Sequence, residues 1–333
     1  MFITFLLFFV SAAIIYFACE FFVNGVEWLG RRLNLSATAT GTVLAAFGTA
    51  LPESVVTFIA VVFGTTPAQK DIGVGAAMGG PLVLATIAYA VVGLALIFNR
   101  RKLSKDHRYA VVVDQKRLSR DQAWFLMIFI VKAGLGLVIF SFKPWLGVLF
   151  LVAYAAYVWR ELRDEADENE DSLEPLKIRP HDADPKMAWV ALQTIGALVV
   201  VTIAAHTFVA QIELIGITFG MAPHMAALLL SPIATELPEI MNALIWVKQG
   251  KERLALANIS GAMMIQATIP SALGIFFTPW VFDNTLISAA VVTTLAIVAL
   301  WGLFRRGVMD SRILVSVGLL YGVFAGYIIW CFS

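Results

Sequence analysis

Charge is scarce in this chain. Asp, Glu, Lys and Arg make up 14% of its 333 residues, against roughly 25% in a soluble domain. With 60% hydrophobic residues and a mean hydropathy of +0.84, the shortage excludes an ordinary soluble globule and predicts an all-α integral membrane protein. Cysteine is scarcer still. Cys19 and Cys331 stand at opposite ends in apolar surroundings, so no disulfide framework is expected, and each reads as a small membrane-helix residue. The basic residues fall in short loops between apolar runs, which leaves no nucleic-acid signature. The stretch Met1–Phe22 lacks a basic leader and reads as a retained helix rather than a signal peptide. No Ser/His or paired-Asp arrangement points to an intramembrane hydrolase, and no cofactor motif is present.

Long apolar runs are what the chain has in abundance. A spanning helix takes about 20 apolar residues. On that rule ten transmembrane helices are expected, at 2–23, 36–64, 71–98, 123–141, 144–160, 187–209, 221–248, 254–278, 285–304 and 312–331. Lysine and arginine sort cleanly across them. With the N-terminus outside, 21 of the 24 basic residues lie in inside loops, Lys70 and Lys143 lie outside, and Lys132 lies within a span. That asymmetry predicts both termini outside a cell (inner) membrane. The acidic linker 163–186, with seven acids between Asp164 and Glu174, then reads as a solvated cytoplasmic segment between residues 1–162 and 187–333. Each side holds five spans. Five is odd, so the halves lie in opposite directions, as two inverted five-helix repeats.

One phrase interrupts the apolar pattern twice. Gly48-Thr49-Ala50-Leu51-Pro52-Glu53 is echoed by Ala234-Thr235-Glu236-Leu237-Pro238-Glu239. A carboxylate inside a membrane costs several kcal/mol unless it is paired or functional. Pro232 and Pro238 each remove a backbone donor, which predicts a broken helix with freed carbonyls near the acids. Each phrase runs on to a glycine, turns, and re-enters as a small-residue helix. The first contains Gly75-Ala76-Ala77-Met78-Gly79-Gly80-Pro81; the second contains Ser260-Gly261-Ala262 and ends at Gln266. Two copies in two halves of a membrane chain make a shared binding site the leading reading.

These duplicated phrases, over 46–84 and 230–266, resemble the α-repeats of the cation/Ca²⁺ exchanger superfamily, the sodium/calcium exchangers, and the resemblance covers the whole chain. It implies a secondary active antiporter that exchanges Ca²⁺ or a similar divalent cation for Na⁺ by alternating access. The first and sixth spans would slide against the rest. Carried over residue by residue, it implies Glu53 and Glu239 as Ca²⁺ ligands, Thr49 and Thr235 beside them, and the backbone carbonyls of Ala46 and Pro232. The chain also departs from the family pattern. A serine after each threonine is replaced by Ala50 and Glu236. The Gly-Ser pair becomes Gly79-Gly80 and Gly261-Ala262, and a later Asn or Asp becomes Leu84 and Gln266. Several sodium ligands are lost while a carboxylate is gained, so Glu236 and Gln266 join the candidate metal ligands. Protons in place of sodium form the alternative, and a transport-inactive regulator is a second one. Lys132 either neutralises one of the acids or extends its stem to reach the interface. Trp28, Trp145, Trp189 and Trp280 read as an aromatic belt. The expected partners are inorganic cations and the lipid bilayer, with no nucleic acid. Neither the coupling ion nor the oligomeric state follows from the sequence.

Overall fold

The computed structural model describes residues 1–32, 50–99, 110–112, 115–164, 174–248, 252–306 and 308–332. Helix α1 (Phe2–Arg32) is followed by α2 (Leu51–Phe58), which continues as a π turn over Ile59–Phe63. Helix α3 (Pro67–Val83) passes through a second π turn, Leu84–Ala88, into α4 (Tyr89–Phe98). Then come α5 (Gln115–Gly136), α6 (Gly147–Asp164), α7 (Met187–Phe219), α8 (Pro223–Thr235) and α9 (Leu237–Lys248). Helices α10 (Glu252–Phe277), α11 (Asn284–Phe304) and α12 (Ser311–Phe332) complete the chain. The described residues are otherwise non-helical only in turns, loops and one antiparallel pair of three-residue strands, Ala110–Val112 with Val308–Asp310.

Among the described residues, six segments are long and apolar enough to cross a membrane: Phe2–Phe22, Pro67–Phe98, Met187–Phe219, Asn258–Phe277, Asn284–Phe304 and Ser311–Trp330. The other four expected spans fall on α2, α5, α6 and the α8–α9 pair, which are shorter or carry more charge; residues 36–49 of the second lie outside the described residues.

Local chemistry sets many of the ends. Thr66 caps α3 by accepting the Gln69 N–H at 3.2 Å, and Asp283 caps α11 by accepting that of Leu286 at 3.0 Å, each satisfying a donor the helix cannot. Gly220 closes α7 at φ 65°, where a side chain would be strained.

Two apolar clusters divide the molecule. The larger gathers residues of α3–α6 and α8–α12. The smaller is built from Phe8 and Ile15 of α1, Val56 and Ile59 of α2, Ile72 and Ala76 of α3, Val201 and Phe208 of α7, and Ala226 and Ala227 of α8. Helix α1 lies along α7, and the pair is attached through this smaller cluster. The outer faces of both helices are apolar and exposed, as suits lipid contact.

The described end of the linker is mostly exposed, yet it is anchored at a few points. Residues 174–186 dock on α1 and α7. Leu176 is buried against Trp28 and Val190, the Glu174 carbonyl accepts Trp28 Nε1 at 3.0 Å, and Asn24 Oδ1 accepts the Lys177 N–H at 3.0 Å. Arg32 pairs with Asp184 at 2.7 Å. A single buried leucine and a handful of backbone bonds override a polar composition here. The aromatic belt is also corrected in part. Trp145 is exposed, but Trp28 and Trp280 are buried, each because its indole N–H has a carbonyl to reach.

Candidate cation site

The second phrase forms the interruption that two prolines impose. Helix α8 ends at Thr235, Glu236 stands at the junction with φ −97°, and α9 begins at Leu237. Pro232 has no N–H for the Leu228 carbonyl, nor Pro238 for that of Ala234. The Pro232 carbonyl itself accepts the Glu236 N–H at 3.0 Å, which leaves it one lone pair. Glu239 occupies the first turn of α9. From the other half, Glu53 occupies the first turn of α2. All three carboxylates, with Thr235 and Gln266, are fully buried.

Thr235 joins the two halves. Its Oγ1 lies 2.8 Å from Glu53 Oε2, 2.9 Å from Glu236 Oε1 and 3.2 Å from the Ser231 carbonyl. Gln266 Nε2 donates to Glu236 Oε2 at 2.7 Å. Several oxygens in this cluster have no hydrogen-bond partner: Glu53 Oε1, both carboxylate oxygens of Glu239, Gln266 Oε1, Ser231 Oγ and Thr57 Oγ1. Buried polar atoms are ordinarily satisfied. Three of these six oxygens belong to the acids themselves and three to neutral side chains; oxygen donors of both kinds are what a hard cation takes. In this conformation hydrogen bonds bridge the acids, and among the described residues no three acid, histidine or cysteine side chains converge at metal-binding distance.

Glycine allows the closure. A Cβ on Gly80 would meet Gln266 Oε1 at 2.7 Å, and Glu236 Oε1 and Glu53 Cδ at 3.0 Å. One on Gly79 would meet the Leu228 carbonyl oxygen at 2.7 Å, and one on Gly75 would overlap the His224 carbonyl. Positions 75 and 79 share a face of α3, so α8 approaches backbone to backbone. This stripe is why the freed Leu228 carbonyl lies beside α3.

Lys132 of α5 is fully buried, so its stem does not carry it to the interface. Its Nζ donates to the Ala77 carbonyl at 2.9 Å and lies 5.1 Å above the Phe129 ring. It makes no direct ion pair with an acid among the described residues, although its charge acts on Glu53. Its backbone carbonyl accepts Trp280 Nε1 at 3.0 Å.

Of the sequence-derived candidates, Glu53, Thr235, Glu236, Glu239, Pro232 and Gln266 come together, whereas Ala46 and Thr49 lie outside the described residues. Sequence reasoning missed Thr57, Ser231 and the contact of Gly80 with the acids. It also missed the Ala77 carbonyl. One signal was available: Pro81 stands four residues after Ala77, the offset at which proline frees a carbonyl.

Known proteins share this fold. Inner membrane protein YrbG of Escherichia coli K12 is 24% identical over 96% of this chain and 93% of its own length. Among solved structures, the H⁺/Ca²⁺ exchanger CAX superposes with a TM-score of 0.74 at 14% identity, covering 98% of this chain and 86% of that one. The sodium-calcium exchanger NCX_Mj does so with a TM-score of 0.60 at 20% identity, covering 98% of each chain. At these identities the two superpositions establish a shared fold. The model of the sodium/calcium exchanger protein family matches residues 3–162 and 189–332. With both halves matched and the acids of both meeting at one buried cluster, this multi-pass membrane protein belongs to the sodium/calcium exchanger family.

Proposed function

We propose that the chain is a secondary active antiporter that carries Ca²⁺ or a similar divalent cation through the Glu53–Glu236–Glu239 cluster, with protons as the counter-ion. The observation that carries this reading is the Thr235 bridge. A hydroxyl has one hydrogen and two lone pairs. Thr235 has that one hydrogen for three oxygen neighbours, and the Ser231 carbonyl among them can only accept. For both carboxyl contacts to be hydrogen bonds, at least one of Glu53 and Glu236 must carry a proton and donate it to Thr235 Oγ1. A divalent ion entering between the acids breaks the bridge and expels the proton. Proton return restores it and releases the ion. Glu239, buried with no hydrogen-bond partner on either oxygen, offers both oxygens to the entering ion. Thr235, Ser231, Gln266 and the carbonyls near Pro232 complete the oxygen shell. The losses at Gly80 and Ala262 point the same way, because neither offers a hydroxyl to an alkali ion.

Ten spans in two inverted repeats, 1–162 and 187–333, fit the packing. Helix α4, ending the third span, meets α12, the tenth; reciprocally α6, the fifth, meets α10, the eighth. Reciprocal contacts of this kind are what a two-fold axis generates. The peripheral α1–α7 pair is the sliding element, strapped on one side by residues 174–186, in a membrane with both termini outside.

Sodium coupling is the second reading. Ser231 Oγ and Thr57 Oγ1, buried without partners, are suited to an alkali ion. Radiocalcium uptake into proteoliposomes decides between them. Uptake driven by an imposed H⁺ gradient without Na⁺ supports the proton reading, while uptake driven by Na⁺ alone and indifferent to pH rejects it. No uptake under either gradient would indicate a transport-inactive relative.

A further inference from the structure

We propose that Lys132 is a tethered monovalent cation belonging to the carboxylate site, so that three acids and one ammonium leave negative charge for a single divalent ion. The inference rests on the cation-site reading above and specifies the charge of that site.

The acceptor of Lys132 is the first support. Within α3 the Ala77 carbonyl would bond the N–H of residue 81, but residue 81 is proline and has none. The Lys132 ammonium takes the vacated bond at 2.9 Å. A carbonyl freed inside a membrane helix is a ligand for a cation, and here the cation is part of the chain. Position is the second support. Ala77 and Gly80 are three residues apart on one face of α3, and Gly80 is in contact range of Glu53, Glu236 and Gln266. The ammonium therefore stands along the same helix face as the acids.

A purely structural tie between α5 and α3 would not need a charge. A neutral hydrogen-bonding side chain could hold the Ala77 carbonyl without the several kcal/mol that burying an ammonium costs. A buried amine keeps its charge only where opposite charge is near, and the ionised members of the acid cluster supply it. An ammonium has three donors, of which the described residues give one a carbonyl and offer the others the Phe129 ring. It is held, but not neutralised by direct contact.

The test is a charge balance on purified protein. Radiocalcium and radiosodium retained at equilibrium are counted together with the protons released on calcium binding. Lys132→Met should keep one more monovalent charge per bound calcium than wild type, as a retained sodium or an unreleased proton. Lys132→Arg should match wild type. A Lys132→Met balance equal to that of wild type overturns the proposal. If Lys132→Met does not fold, the Ala77 carbonyl is the cause to remove: Pro81→Ala restores its helix bond. The Pro81→Ala/Lys132→Met double variant then takes the same measurement. One extra monovalent charge per calcium supports the proposal there too, and a wild-type balance overturns it. Failure of the site itself looks different. Wild type would bind no radiocalcium, or Glu239→Gln would bind it like wild type, and the Lys132 assignment would fall with it.

Discussion

Gly80 lies so close to Glu53 that a Cβ on the glycine would stand 3.0 Å from the carboxyl carbon, with Gln266 Oε1 nearer still at 2.7 Å. The glycine thus sets the width of the acid cluster. Gly80→Ala should keep the fold, because Gln266 and the carboxylates can turn aside, but it should spread the ligands. Divalent binding is expected to weaken about tenfold, or ~1.4 kcal/mol, as measured by radiocalcium binding. An unchanged affinity would place the cation elsewhere.

Glu53→Gln and Glu239→Gln should each abolish divalent transport while leaving membrane insertion and gel-filtration behaviour intact. Each change keeps the side chain's size and removes a charge that attracts a divalent ion. Wild-type transport by either variant contradicts the central-site assignment.

Proton coupling has a definite sign. If an incoming divalent ion expels a carboxyl proton, raising the pH removes a competitor, so affinity should rise by up to about tenfold per pH unit for each proton released. Glu236→Ser removes one of the two acids on the Thr235 bridge and restores a hydroxyl. It should flatten the pH dependence and shift transport toward Na⁺. A profile that stays as steep as that of wild type would show that the proton resides elsewhere.

Trp280 is held by its N–H to the Lys132 carbonyl at 3.0 Å and packs over Gly274, where a Cβ would overlap the ring. Trp280→Phe should lower stability in detergent by about 1 kcal/mol for the lost bond, read as a small drop in melting temperature. Gly274→Leu should be far worse, because it displaces the ring itself.

Topology is tested chemically. In a variant lacking Cys19 and Cys331, a cysteine at Glu170 should resist labelling from outside intact cells and react after permeabilisation. Ready labelling from outside would invert both repeats.

What the sequence by itself determined is what depends on local composition. Apolar runs specify membrane helices wherever they fall, because unpaired backbone groups cannot exist in lipid. A proline–glutamate phrase in such a run is costly enough to signal a site, and two of them signalled a shared one. Pro232 and Pro238 marked the break at Glu236 for the same local reason. Only the tertiary structure decided the partners. Thr235 bridges Glu53 to Glu236 across 182 residues, and no spacing rule encodes that contact. Lys132 found a carbonyl freed on another helix, rather than an acid or the interface, because Pro81 left a bond open at Ala77. Trp280 turned inward because the Lys132 carbonyl was within reach, and residues 174–186 docked because Leu176 found an apolar pocket at Trp28. In each case the deciding quantity was the satisfaction of a buried polar or apolar group by a distant one, which exists only after the helices have packed.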